Sequence, residues 1–212
     1  MTQVPPFPEI STAVDRVLGV VLAGGKSTRL GRDKVVEVVG GKSLLAATVE
    51  LVAGVTGEVV VSGRDPVPLG IHAPWLPDAV SGTGPAGGIL TALMAFGRPI
   101  LAVSCDLPFL RRDTLTALLA ARLRRPATAL MTTYRRTDTG YVESLVAVYE
   151  PAGAPVLQRA MDGGMYRLSA AFPAAIRHHL DYDPADPDAA KPFFNINFPR
   201  DLDLAREMEQ AS

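Results

Sequence analysis

A doubly wound α/β fold, with a predominantly parallel sheet and helices on both faces, is what the sequence predicts. Three observations carry it. Two short and almost uninterrupted aliphatic runs, Val17–Leu22 and Pro99–Ser104, have the composition of strands buried on both faces. Segments with helical spacing alternate with such runs, as a parallel sheet requires. No repeat, low-complexity tract or linker divides the 212 residues, a length that suits one domain. Such a chain hides roughly 70% of the surface its unfolded form exposes, so it needs no disulfide or structural metal. Three prolines fall in the first eight residues. The expected organisation is therefore a flexible N-terminal tail over 1–16 and a three-layer, Rossmann-like domain over 17–212.

The elements follow in order. Val17–Leu22 is the first strand, and a glycine- and charge-rich loop runs from Ala23 to Lys34. Ser43–Val55 spaces Leu44, Leu45, Thr48, Leu51, Val52 and Val55 as a helix does, with Ser43 as its N-cap. Glu58–Ser62 is the next strand, and the proline-rich stretch Pro66–Pro77 is irregular. Pro85–Phe96 is helical, with its proline in the first turn where the missing N–H costs nothing. Pro99–Ser104 is the third buried strand and ends at Cys105-Asp106-Leu107-Pro108. A helix from Arg112 to Arg122, strands over Ala127–Thr133 and Ser144–Tyr149, and a helix over Pro151–Met161 come next. A loop over Pro184–Pro192, a short strand at Phe193–Ile196 and a terminal helix over Pro199–Met208 complete the chain.

Composition excludes several functions. With 21 basic and 22 acidic residues the chain lacks the basic surface that non-specific nucleic-acid binding needs. One cysteine, Cys105, makes neither a disulfide nor a CxxC zinc site, which favours a reducing compartment. His72, His178 and His179 lack the spacing of zinc ligands. Ser27 and Ser144 have no visible His and Asp partners for a hydrolase triad. The N-terminus has no basic stretch followed by an apolar core, and no apolar run is long enough to span a bilayer. A cytoplasmic protein without membrane or nucleic-acid partners is expected.

Ligands of open α/β sheets bind beyond the carboxyl ends of the strands. Those ends carry Leu22-Ala23-Gly24-Gly25, Ser62-Gly63-Arg64, Asp78 and Asp106. The loop from Ala23 to Lys34 has four basic residues and one acidic, a local charge of +3 in a near-neutral chain. Its adjacent glycines let backbone N–H groups approach a phosphate, and its cations neutralise phosphate oxygens. The loop reads as a cradle for a nucleoside triphosphate.

It is not a P-loop. Five residues, not four, separate Gly19 from Gly25-Lys26-Ser27, and Val36 stands where Gly40-Gly41-Lys42-Ser43 would need its first glycine. Gly82-Thr-Gly84-Pro-Ala-Gly87 satisfies GxGxxG, but Pro77-Asp-Ala-Val-Ser81 is a poor strand to lead into it, so a dinucleotide site is disfavoured.

Leu22-Ala-Gly-Gly-Lys-Ser-Thr-Arg-Leu-Gly-Arg-Asp-Lys34 resembles the LAGG-xxx-R-[ML]-G-x-D-K signature of sugar-phosphate nucleotidyltransferase-like proteins, and most of all that of the molybdenum cofactor guanylyltransferase (MobA-like) family. Gly40-Gly-Lys-Ser-Leu44, Gly84-Pro-Ala-Gly-Gly88, Cys105-Asp-Leu-Pro108 and Asn195-Ile-Asn-Phe-Pro199 continue the likeness in order, over about residues 17 to 206. The resemblance implies a nucleotide-diphospho-sugar transferase-like fold. It also implies transfer of GMP from GTP to the terminal phosphate of molybdopterin, with release of pyrophosphate. A cytidylyltransferase, a nucleotidyltransferase with another phosphorylated acceptor, or a non-catalytic nucleotide-binding homologue are the alternatives.

By this resemblance Leu22, Ala23, Gly24 and Gly25 hold base and phosphates through backbone groups. Arg29 and Lys34 bind the triphosphate and stabilise the charge that develops during transfer. Asp106 ligates Mg²⁺, and Asp78 and Ser62 contact the nucleotide. Gly84, Pro85, Asn195 and Asn197 belong to the acceptor side, with Asn197 equally suited to cap the last helix. Related cytidylyltransferases have a bulkier loop, so Gly24-Gly25 leaves room for a purine. Other cofactor-biosynthesis proteins and molybdoenzyme chaperones are the implied partners. Two positions depart from the family pattern. Ser62 stands for a common Asn, and Glu143-Ser144-Leu145 stands for an acceptor-side [QH]-P-[LT].

Overall fold

The computed structural model describes residues 16–24, 30–31, 33–79 and 82–210. The expected tail over 1–16 therefore falls, but for Arg16, outside the described residues. The strands are β1 Leu18–Leu22, β2 Val38–Val39, β3 Lys42–Ser43, β4 Val59–Ser62, β5 Trp75–Leu76, β6 Ile100–Ser104, β7 Met131–Arg136, β8 Val142–Tyr149 and β9 Arg177–Tyr182. Seven form one sheet in the order β5-β4-β1-β6-β8-β7-β9, while β2 and β3 make a small hairpin. Within the large sheet β8 runs against both its neighbours and the other pairings are parallel.

The helices are α1 Leu44–Thr56, α2 Gly84–Phe96, α3 Arg112–Leu123, α4 Ala154–Asp162, α5 Leu168–Ala171, α6 Pro187–Ala190 and α7 Pro199–Gln210. Successive residues of a strand point to opposite faces. Accordingly Val20 and Leu22 of β1 pack with Ile89 and Leu93 of α2 and Leu157 of α4, whereas Val21 packs with Leu45 and Val52 of α1 and Leu115 and Leu118 of α3. The three layers of the expected fold follow from that alternation. Burying each such aliphatic side chain contributes about 1.5–3 kcal/mol. Gly19 has a packing reason. A Cβ there would sit 2.3 Å from Val52 Cγ1, so its absence lets α1 lie close against β1. As expected, Ser43 caps α1, accepting from the Ala46 N–H at 3.3 Å.

Several boundaries differ from expectation. The strand placed at Ala127–Thr133 begins only at Met131 and runs on to Arg136, because the Ala129 N–H turns back to the Pro126 carbonyl. Phe193–Ile196 is not a strand. Lys191–Phe193 is a 3-10 turn containing Pro192, and the Ile196 N–H is spent on the Asp106 carbonyl at 3.0 Å. The Pro184–Pro192 loop contains α6, and the irregular Pro66–Pro77 stretch contains β5. β9 has no counterpart in the expected elements.

Candidate active site

The register brings the expected strand ends together. Leu22 pairs with both Ser62 and Ser104, and Ser62 pairs with Leu76, so β1, β4, β5 and β6 end in one row. Two residues beyond those ends stand Gly24, Arg64, Asp78 and Asp106.

Lys34 and Asp106, 72 residues apart, meet in this row with Lys34 Nζ 3.0 Å from Asp106 Oδ2. Their side chains are 16% and 13% exposed, which strengthens the attraction over that of a surface pair. A short 3-10 turn over Lys34–Val36, pinned by buried Val35, presents the lysine. Arg64, which the site assignment from sequence did not include, pairs with Asp33 and so ties the end of the basic loop to the end of β4. Asp106 Oδ1 is buried without a hydrogen-bond partner. A buried anionic oxygen in that state suits a hard cation. Among the described residues no group of three or more His, Cys, Asp or Glu side chains could hold a metal. Mg²⁺ commonly takes one or two carboxylates and completes its shell with substrate phosphates and water, so a single Asp106 fits it. Burial first, and then the Asp106 charge, push the neighbouring Cys105 thiol up to about 12, so it stays a protonated core side chain.

A second cluster lies on the β4 side. The Ser62 hydroxyl donates to Asp78 Oδ1 at 3.2 Å, so Ser62 still offers a hydroxyl where the family often has an amide. Gly24 and Gly63 pack directly against this pair. Gly63 has φ +86°, and a Cβ there would lie 2.8 Å from Gly24 Cα. Gly63→Ala is expected to cost about 1–3 kcal/mol in strain and to lower the melting temperature by roughly 2–4 °C per kcal/mol. An unchanged melting curve would contradict that reading. A Cβ on Gly24 would lie 3.4 Å from Asp78 Oδ2 and 3.6 Å from Gly63 Cα, so this glycine packs closely against Asp78 and Gly63. Leu22 and Ala23 are buried with their side chains in the core, leaving only backbone for a ligand. The Ala23 N–H is given to the Ser62 carbonyl at 3.0 Å, so of its backbone groups the carbonyl is the one left to meet a ligand. Gly25 and Arg29 lie outside the described residues.

A cavity of about 600 Å³ opens beside the Lys34–Asp106 pair rather than over it. Asn195 and Asn197 line it, one on each side of the Ile196 N–H that bonds to Asp106. Asp201 shapes this segment, as its Oδ2 accepts the N–H groups of Asn197 at 2.9 Å and Phe198 at 2.8 Å. That carboxylate, in the first turn of α7, makes the reach-back half of a capping box to the residues that lead into the helix. Gly84 and Pro85 open α2 and do not line the cavity. One turn on, Gly88 faces Ser62 and Asp78, so this end of α2 adjoins the nucleotide cluster instead. The cavity wall also includes Arg136, Glu143, Tyr182 and Lys191. The sequence reading had singled out only Glu143 among these, as a departure.

Fold and site together define a nucleotidyltransferase. The MobA-like NTP transferase domain model matches residues 19–180, and the chain belongs to that family. A molybdenum cofactor guanylyltransferase of Acidiphilium cryptum is 36% identical, over 88% of this chain and 92% of that protein. A molybdenum cofactor biosynthesis bifunctional protein of Synechocystis is 32% identical over 86% of this chain, which spans about half (52%) of its length. Among solved structures, a molybdopterin-guanine dinucleotide biosynthesis protein A of Archaeoglobus fulgidus superposes with a TM-score of 0.77 at 24% identity, covering 92% of this chain and all of that one. Among the described residues no helix is long and apolar enough to cross a membrane.

Proposed function

We propose that the protein transfers GMP from GTP to the terminal phosphate of molybdopterin, forming molybdopterin guanine dinucleotide and pyrophosphate. The observation that carries this reading is the Lys34–Asp106 pair at the strand ends, with one Asp106 oxygen still unpartnered, in a chain of the MobA-like family.

The acceptor phosphate oxygen forms a bond to the α-phosphorus of GTP while the bond from that phosphorus to the bridging oxygen of pyrophosphate breaks. Pyrophosphate leaves with the electron pair. A phosphate monoester is largely ionised near neutral pH, so the nucleophile needs no general base. The task is to hold two anions in line and neutralise them, and catalysis is mostly positioning and electrostatics. Lys34 and Arg29 bind the triphosphate and offset the charge that accumulates on the leaving group. Asp106 would hold Mg²⁺, which supplies charge neutralisation at the phosphates when bound. Gly24 and Gly25 let the loop backbone approach the nucleotide, Leu22 and Ala23 offer only main-chain carbonyls, and Ser62 and Asp78 contact base or ribose. The cavity flanked by Asn195 and Asn197 takes the acceptor, while Gly84 and Pro85, at the start of α2, stand on the Ser62–Asp78 side. The side-chain-free Gly24-Gly25 pair, where related cytidylyltransferases have a bulkier loop, favours a purine. A cytoplasmic setting, where cofactor-biosynthesis proteins and molybdoenzyme chaperones are at hand, suits this reaction.

Pyrophosphate release, measured with GTP, CTP and ATP in the presence of Mg²⁺ and molybdopterin, tests the reading. The expected result is release with GTP at least tenfold above the other two. Release with CTP in preference would point to the cytidylyl alternative, and no release with any pair would refute nucleotidyl transfer.

A further inference from the structure

On the reading that the 600 Å³ cavity takes the acceptor, we propose that Glu143 determines acceptor specificity by receiving the paired N–H donors of the 2-amino-4-oxo edge of its heterocycle.

The structure holds Glu143 for such a role. β8 runs against β6, with Val146 opposite Val103, so its first residues project toward the same edge as Asp106. The β7–β8 register shifts between Thr133 and Arg135, and the Thr133 hydroxyl donates to the Glu143 carbonyl at 2.8 Å. Such bulges re-aim side chains beside active sites. The Glu143 carboxylate then lines the cavity and accepts the Tyr182 hydroxyl on Oε1 at 2.6 Å. Tyr182 is itself held by ring contacts to Phe193, at 4.5 Å, and Tyr134.

A half-buried carboxylate is a poor neighbour for the acceptor's phosphate. It is a good one for two adjacent N–H donors, which a carboxylate binds in parallel. The 2-amino-4-oxo ring of a pterin presents that pair at its amino group and N3. The Tyr182 hydroxyl uses one acceptor site of Oε1, so Oε2 and the second site of Oε1 remain for the two N–H donors. Tyr182 and Phe193 add aromatic surface to the cavity wall for a flat ring, and Arg136 and Lys191 add cations for an anionic tail. Burial raises the pKa of Glu143, while the Tyr182 hydroxyl and the Arg136 charge oppose the rise. Guanine carries a similar donor pair, but the Gly24, Ser62 and Asp78 cluster lies on the far side of β6, along β1, β4 and β5.

Binding of pterin and of lumazine, in which a carbonyl replaces the 2-amino group, provides the test. The wild-type protein is expected to bind pterin at least about tenfold more tightly, because lumazine sets an oxygen against the carboxylate. Glu143→Leu should bring the ratio within about twofold of unity while GTP affinity holds. Glu143→Gln keeps shape and one acceptor oxygen, and should lower the ratio at least threefold. Equal binding or no binding of the two ligands by wild type, or an unchanged ratio in the variants, would overturn the proposal. So would a loss that appears between GTP and ITP instead, since the carboxylate would then be reading the nucleotide. Guanylyl transfer by the wild type is scored separately. Transfer without pterin discrimination defeats only the Glu143 role, and discrimination without transfer defeats only the guanylyl reading.

Discussion

Asp106→Asn is expected to lower kcat/KM for guanylyl transfer by about 10³-fold or more, in a protein that still folds but melts lower because Lys34 loses its anionic partner. The substitution keeps the shape of the side chain and an oxygen that can accept from Lys34, whose Nζ now lies 3.0 Å from Oδ2. It removes the negative charge and puts a neutral amide where the partnerless Oδ1 now sits. An amide is a weak ligand for a hard cation, and losing several kcal/mol of charge stabilisation at the phosphates corresponds to roughly three powers of ten in rate. A folded Asp106→Asn protein with wild-type turnover would remove Asp106 from the mechanism. A smaller loss that high Mg²⁺ restores would keep it as ligand but reduce its share.

Lys34→Met should reduce kcat/KM for GTP by roughly 10²–10³-fold, the range seen when one preorganised donor to a developing anion is lost. Methionine matches the length of the lysine stem, so the packing of the neighbouring Val35 is kept. The loss should fall on kcat as well as KM, because Lys34 is assigned to charge that grows during transfer and not to the ground state alone. If KM rises and kcat is untouched, Lys34 only binds nucleotide. Steady-state kinetics at saturating molybdopterin separates the two.

The parts of the fold that were legible were those with an uncluttered physical signal. β1 and β6 are buried along their whole length, so their aliphatic runs could mean little else. β9 is an edge strand whose Arg177-His178-His179-Leu180-Asp181-Tyr182 is mostly half exposed, and its Asp181 pairs with Arg135 of the neighbouring β7. Neither alternation nor an apolar run marks it. β7 was started too early because Pro126 to Ala129 makes a turn that runs directly into the apolar Leu130-Met131. The convergence of the strand ends beside Asp78 and Asp106 could be read because those ends and a basic glycine loop fall together in sequence. Of the cavity, only Asn195, Asn197 and Glu143 were singled out from sequence, since its wall is assembled from the amino end of β8, the carboxyl ends of β7 and β9, and the segment around Asn195. Only sheet topology joins these. Asn197 was read as equally an acceptor-side residue or a helix cap, and sequence alone did not show that Asp201 would reach back to the N–H groups of Asn197 and Phe198.

The most direct measurement follows the label from GTP. With [α-³²P]GTP, Mg²⁺ and molybdopterin, the label should pass into a product with the mass of molybdopterin guanine dinucleotide, in step with one pyrophosphate released per product formed. Label that stays in GTP, or that appears as free GMP whether or not molybdopterin is present, would contradict guanylyl transfer by this protein.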